Sequence, residues 1–281
     1  MPISDVELII LGSGTSAGVP VIGCECPVCT SSDPRNRRTR PSACVQFQDP
    51  TGSPRVILID TAPDLREQAL RHRLQRCDAI VYTHNHVDHT FGLDEVRRFN
   101  AVMQTPIDLY AEPHTLEHLG RVYQHIFDRK QNVNDTFVAN LIPHEIDQGT
   151  PLELYGLRLS PLRLLHGRLP VLGYRLEAID ERGQVIAAQP GPLPLAYCTD
   201  VSAIPPETWR GLTGLRTLIL DMLRYRRHPT HFSVDEAIET AGRIAPEQAW
   251  FIHMSHEIEH GELDGSLPDG MALTYDGLVL R

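Results

Sequence analysis

Six consecutive residues of this 281-residue chain, His84-Asn85-His86-Val87-Asp88-His89, carry three imidazoles and one carboxylate. Buried without partners, such groups would lose their charge or destabilise the fold; exposed, they have no reason to cluster. Imidazole and carboxylate together are the ligand set of Zn, Mn, Fe or Ni. In an extended segment His84 and His86 point the same way, while Asp88 and His89 turn toward a second position. So short a cluster cannot fill two coordination shells, so further ligands are required downstream. Three polar residues end apolar runs there: His166 after Leu162-Arg163-Leu164-Leu165, Asp200 after Ala196-Tyr197-Cys198-Thr199, and His253 after Trp250-Phe251-Ile252.

The cysteines form a second constellation. Of six, three fall within six residues, Cys24-Glu25-Cys26-Pro27-Val28-Cys29. In a reducing compartment clustered thiols favour metal or redox chemistry over a disulfide framework. Three thiolates are one short of a closed structural zinc site. The alternatives are a redox pair at Cys26 and Cys29, which lacks a thioredoxin-like surround, or buried free thiols.

The remaining histidines are weaker signals. His231 stands just before a helix that starts at Ser233, and alone it reads as a helix-flanking surface residue; His228 competes with it. Arg224, Arg226 and Arg227 either orient an anionic substrate or decorate an exposed loop. His114, His118 and His125 share one helical stretch, where a solvated face is the favoured reading. His72, His144 and His260 read as surface residues.

Elements must hold these groups in place. Short β-branched or Leu-rich runs bounded by Gly, Pro or Asp predict strands at Glu7–Leu11, Ala43–Phe47, Val56–Ile59, Ala79–Thr83, Asp108–Tyr110, Arg158–Leu165, Leu172–Leu176, Leu195–Cys198, Thr217–Asp221 and Ala249–His253. Helical periodicity predicts helices at Pro63–His72, His114–Phe127 and Ser233–Ile244, the last opened by a capping box of Ser233 with Glu236. Strands early and late with helices between them predict an α/β sandwich, and no linker divides residues 1–281, so a single domain is expected. The basic run Arg35–Arg40 reads as a solvated loop, and the polar stretch Arg129–Phe137 as a mobile insertion.

Composition narrows the function classes. Apolar residues make up 41%, which excludes global disorder, and no run approaches the ~18 apolar residues of a spanning helix. The opening Met1-Pro2-Ile3-Ser4-Asp5 lacks the basic start of a secretory signal, so a cytoplasmic location is expected. With 26 basic and 36 acidic side chains the net charge is −10, which argues against a nucleic-acid partner that relies on phosphate contacts.

The order His84-x-His86-x-Asp88-His89, His166, Asp200, His253 resembles the metallo-β-lactamase superfamily. That resemblance implies an αββα sandwich with a two-metal site at one edge of the sheets. It implies that His84, His86 and His166 hold one metal, that Asp88, His89 and His253 hold the other, and that Asp200 bridges them. The opening Leu11-Gly12-Ser13-Gly14-Thr15 and the Cys24–Cys29 loop resemble one branch, the phosphodiesterases of the carbon–phosphorus lyase pathway. So do Gly173-Tyr174, Thr199-Asp200, Ser255-His256, and the stretch from Leu267-Pro268-Asp269-Gly270 to Tyr275-Asp276-Gly277. The branch implies His256 as the fourth ligand of a structural zinc with Cys24, Cys26 and Cys29. It also implies His231 as the group that contacts the scissile phosphate.

The chemistry so implied is opening of a small cyclic phosphate, phosphoribosyl 1,2-cyclic phosphate or similar, by a metal-bridging hydroxide. Asp88 would orient the hydroxide and His231 would protonate the leaving oxygen. His and carboxylate ligands suit Mn, Zn and Ni alike. The partner is a small phosphorylated substrate; a homodimer is implied by analogy alone. Rival readings are a ribonuclease Z-like nuclease and a thioester or lactam hydrolase on the same scaffold. The chain is longer than the branch pattern, with extra residues around 114–140 and 183–194, which can line or cover the site.

Overall fold

The computed structural model describes residues 2–133 and 136–281; the centre of the 114–140 insertion, residues 134 and 135, lies outside the described residues. Fourteen strands are described: β1 (Ser4–Gly12), β2 (Ser42–Gln48), β3 (Pro54–Ile59), β4 (Ala79–Val81), β5 (Ile107–Ala111), β6 (Leu141–Glu145), β7 (Leu152–Leu154), β8 (Leu157–His166), β9 (Leu169–Ala178), β10 (Leu195–Cys198), β11 (Thr217–Asp221), β12 (Gln248–Ile252), β13 (Met271–Leu273) and β14 (Val279–Leu280). They form two seven-stranded sheets, ordered β14-β1-β2-β3-β4-β5-β6 and β13-β12-β11-β10-β9-β8-β7. The helices are α1 (Leu65–Arg71), α2 (Val87–Thr90), α3 (Arg97–Met103), α4 (Pro113–Val122), α5 (Gln124–Phe127), α6 (Val234–Ile244) and α7 (His260–Asp264).

Side-chain alternation builds the layers. Leu8 and Ile10 of β1 face the second sheet, packing in one core with Leu159, Leu172, Tyr174, Tyr197 and Ile219, whereas Ile9 and Leu11 face the helices with Leu65, Phe99 and Leu119. Ala196 and Cys198 of β10 likewise face outward, onto Val234, Ala237, Ala241 and Ile244 of α6. Both faces of each sheet are therefore covered, which explains the continuous apolar runs in the central strands, and a one-residue slip would exchange the two cores. The result is the expected αββα sandwich of the metallo-β-lactamase fold. The Ser233 cap forms as a reciprocal box with Glu236 and starts α6.

Two runs are parallel, β3 to β6 in the first sheet and β10 to β13 in the second. Parallel strands bring their carboxyl ends to one edge, where a ligand crevice can form. β8 and β9 pair over their full ten residues and turn through Gly167 and Arg168. Gly167 has φ +65°, and a Cβ there would meet Thr230 Cγ2 at 2.8 Å, so glycine is needed for both the turn and the close approach.

The structure corrects several expectations. The helix expected over His114–Phe127 breaks at Tyr123, whose hydroxyl leaves the helix to donate to the Thr90 carbonyl at 3.1 Å. The strand expected to reach Thr83 ends at Val81, and the one expected to reach His253 ends at Ile252. The edge strands β6, β7, β13 and β14 were not expected; they are short or half-exposed, so they show no apolar run. His260 is not a surface residue but 2% exposed, and its backbone N–H donates to Asn36 Oδ1 at 2.9 Å. The basic run is solvated only in part: Arg35 and Arg37 are exposed, but Arg38 is buried and Arg40 pairs with Asp64 at 2.9 Å. Among the described residues no helix is long and apolar enough to cross a membrane.

Candidate active site

The site is assembled from strand ends. β4 delivers His84 and His86, and α2 follows at once with Asp88 and His89. β8 ends on His166, β10 leads to Asp200, and β12 to His253. Two of these residues leave their strands in the left-handed region, Asp200 at φ 58° and His253 at φ 72°. A non-glycine residue held there costs on the order of 1–3 kcal/mol, so the surrounding contacts must impose it.

Two sets of ligand atoms result. His84, His86, His166 and Asp200 offer atoms all within 4.8 Å of one another, and so do Asp88, His89, Asp200 and His253. Asp200 belongs to both. The Nε2 atoms of His84, His89 and His253 are buried and have no hydrogen-bond partner among the described residues. His89 Nε2 lies 3.1 Å from Asp200 Oδ2, and His253 Nε2 lies 3.4 Å from Asp200 Oδ1 and 3.6 Å from Asp88 Oδ2. Buried imidazole nitrogens facing shared carboxylates without hydrogen bonds are what a cation site requires, because each orphaned atom would otherwise be a net cost. The residues present therefore fit divalent metal ions in both sets.

Electrostatics agree with this donor chemistry at three of the imidazoles. Burial strips protons from His84, His86 and His166, leaving them neutral donors. Burial opposes charge on Asp200 and Asp88, but the neighbouring imidazoles prevail and hold both well below the usual carboxylate range. Burial also opposes charge on His89, which Asp200, Asp88 and Asp60 override.

The groups that orient these candidate ligands lie outside every motif the sequence displays. Asp60, left-handed at φ 63° after β3, accepts from His89 Nδ1 at 2.7 Å and from the Thr83 amide and hydroxyl at 2.8 Å each. His166 Nδ1 donates to the Thr230 carbonyl at 2.7 Å. Asp221 ends β11, fully buried, and accepts from Phe232 N at 2.9 Å and His231 Nδ1 at 3.0 Å. The available signal was an acidic residue closing an apolar strand, present in both Ile59-Asp60 and Leu220-Asp221.

His231 is not a surface residue: it is 8% exposed, its ring centroid 4.6 Å from His253 and 4.5 Å from His166. Burial alone would remove its proton, but Asp221 outweighs burial and raises it to about 9. With Nδ1 given to Asp221, Nε2 is the nitrogen left to meet a substrate. His228 stands 5.4 Å away, centroid to centroid, and is held by Thr230. The arginines are tied up elsewhere: Arg224 and Arg226 approach Glu257 at 3.6 and 3.4 Å, and Arg227 approaches Glu236 at 3.0 Å. His114 and His118 join none of the ligand groups found among the described residues.

A separate cluster holds the thiols. Cys24, Cys26 and Cys29 Sγ lie 3.3, 3.6 and 3.5 Å from His256 Nδ1. Ligands about 2.0–2.3 Å from a tetrahedral zinc stand roughly 3.5 Å apart, so this donor set fits that ion. The Cys29 amide draws the Cys26 thiol down to about 6, while burial pushes Cys29 up to about 11.

The fold and the paired Asp/His sets define the class, a metallo-β-lactamase scaffold with paired candidate metal-ligand sets at one sheet edge. The description "Beta-lactamase superfamily domain" matches residues 55–254. A solved structure described as a new diphosphatase from the PhnP family is 38% identical, with a TM-score of 0.85, covering 99% of this chain and 97% of its own. A protein of Porphyromonas gingivalis named octanoyltransferase is 36% identical over 278 residues, 97% of this chain but 51% of that protein. The chain spans about half the length of the curated relatives it matches. Zn(2+)-bound PqqB from Methylobacterium extorquens, 20% identical with a TM-score of 0.74 over 98% of this chain and 99% of its own, shares the fold. The chain belongs to the beta-lactamase superfamily and, within it, to the PhnP family.

Proposed function

We propose that this chain is a two-metal phosphodiesterase that opens a small cyclic phosphate, phosphoribosyl 1,2-cyclic phosphate or a near relative. The observation that carries the reading is the buried Asp221–His231 pair set against two ligand sets that share Asp200. His84, His86 and His166 would hold one cation, Asp88, His89 and His253 the other, and Asp200 would serve both. Cys24, Cys26, Cys29 and His256 would hold a structural zinc, in a cytoplasmic setting that keeps the thiols reduced. Bound metals supply neutralisation of phosphoryl charge and a nucleophilic water at neutral pH, to which Mn, Zn and Ni are all suited.

The chain's own residues do the rest. Asp88, ionised, accepts a hydrogen bond from the attacking water. His231, protonated and fixed by Asp221 through Nδ1, donates from Nε2 to the ring oxygen as its bond to phosphorus breaks. Water adds across that bond, so a cyclic diester becomes a monoester with no separate leaving group. The net charge of −10 disfavours the ribonuclease alternative.

A second reading, hydrolysis of a diphosphate, is favoured by the 38% identity to a diphosphatase over the whole chain. The two differ at His231. An alkoxide leaving group needs a proton, whereas a phosphate leaving group departs largely without one. The test is phosphorus NMR on protein of measured metal content. Conversion of the cyclic phosphate to a monoester, with a loss of 10²–10⁴ in His231→Ala, supports the first reading. Cleavage of a nucleoside diphosphate alone, insensitive to His231, replaces it with the second, and no cleavage of either by metal-replete protein overturns both.

A further inference from the structure

Arg38 is 1% exposed, yet no carboxylate pairs with it among the described residues. Its guanidinium is spent on the turn that carries His253 and His256. Nη1 donates to the Ser255 carbonyl at 2.9 Å, and Nη2 to the Ile258 carbonyl and the Asn36 Oδ1, each at 2.9 Å. Its backbone pairs with Val19 in both directions at 2.8 Å, on the loop leading to Cys24. Asn36 is itself fixed, because its Oδ1 also accepts from His260 N at 2.9 Å.

The other side of the turn is held by Ser13. Its carbonyl accepts from His253 N at 3.0 Å and Met254 N at 3.1 Å. Ser13 in turn donates to Asp276 from its amide at 2.9 Å and its hydroxyl at 2.8 Å. Between these clamps His253 is kept in a backbone conformation it would otherwise leave. The planar fork of donors reaches the Ser255 and Ile258 carbonyls on either side of His256 and Glu257, a geometry that the single ammonium of lysine does not reproduce.

We propose that Arg38 is a positioning residue that locks the 253–258 turn and so sets one ligand of the paired Asp/His site and one ligand of the thiol site together. The inference rests on both clusters holding metal, as argued under the proposed function. Outer groups that orient ligands change metal affinity by about 10–100-fold, and here one group orients ligands of two sites.

The experiment uses intact protein loaded with cobalt(II), whose sulfur-to-cobalt charge transfer reports the thiol site and whose weaker visible bands report the Asp/His site. Each sample is challenged with a fixed concentration of chelator, and folding is followed by circular dichroism. In Arg38→Lys both signals should be lost together, with retention down by about 10–100-fold. Cys26→Ala, which leaves Arg38 in place, should lose the thiol band and keep the visible bands of the Asp/His site. Asn36→Ala, which loosens Nη2 while keeping the cation, should weaken both signals by about tenfold and serves if Arg38→Lys does not fold. Wild-type retention in the folded Arg38 and Asn36 variants overturns the proposal, as does loss of the thiol signal alone. Wild-type protein that shows neither cobalt signature overturns the metal assignment beneath it instead.

Discussion

Replacing Asp221 with asparagine keeps its shape and removes its charge. His231 then loses the partner that raises it from 6.5 to about 9, while the burial that opposes its charge remains. The rise corresponds to about 3 kcal/mol in favour of the imidazolium. Without it burial is opposed only by Asp200 and Asp88, and His231 falls back toward its ordinary value, at which about one-tenth of molecules keep the proton at pH 7.5. Activity on the cyclic phosphate should therefore fall, by up to about tenfold, at pH 7.5 and recover as the pH is lowered. Cations in the neighbouring sets repel the imidazolium, so the loaded wild type loses activity at a pH below about 9; the displacement between wild type and Asp221→Asn is the quantity to read. Stability carries the same sign. A raised histidine stabilises the fold fully below about 6.5 and loses that contribution as pH rises through about 9, so the stability gap between the two proteins should close in that window. The assay is kcat against pH for both proteins at equal, measured metal content, with thermal midpoints at each pH. Superimposable profiles would remove the Asp221–His231 pair from the reaction.

Asp200→Ala takes a carboxylate from both ligand sets at once, so elemental analysis should show both metals reduced together with activity; full metal content would refute the shared role. Cys26→Ala should lower zinc content by about one ion per chain and reduce the thermal midpoint, and an unchanged zinc count would refute the thiol site. Ser233→Ala deletes the cap of α6, at about 1 kcal/mol, which for a chain of this size moves the thermal midpoint by roughly 2–4 °C; no shift would mean the capping box carries no stability.

Much of this molecule is legible before any coordinates are known. The central strands show themselves because burial on both faces demands uninterrupted apolar runs, and α6 because its cap and period agree. The half-exposed edge strands β6 and β7 escape, since nothing in Leu141–Glu145 or Leu152–Leu154 requires a continuous apolar sequence. The break at Tyr123 escapes because its cause is a hydrogen bond to Thr90, 33 positions earlier.

The candidate ligand types are legible in the sequence alone, because a cluster such as His84–His89 has no other inexpensive use and because each remaining candidate closes an apolar strand. What the sequence could not decide is how polar residues far apart in the chain satisfy one another. Arg38 reads as one more surface arginine until the 255–258 carbonyls close around it. His231 reads as a surface histidine until Asp221, ten residues earlier, meets it at 3.0 Å in a buried site. Asp60 reads as the end of a strand until His89 turns its Nδ1 toward it. In each case the chemistry depends on burial and on a partner, and both are properties of the packed chain: removing water is what makes a lone carboxylate or guanidinium strong enough to fix a neighbour's geometry and its proton.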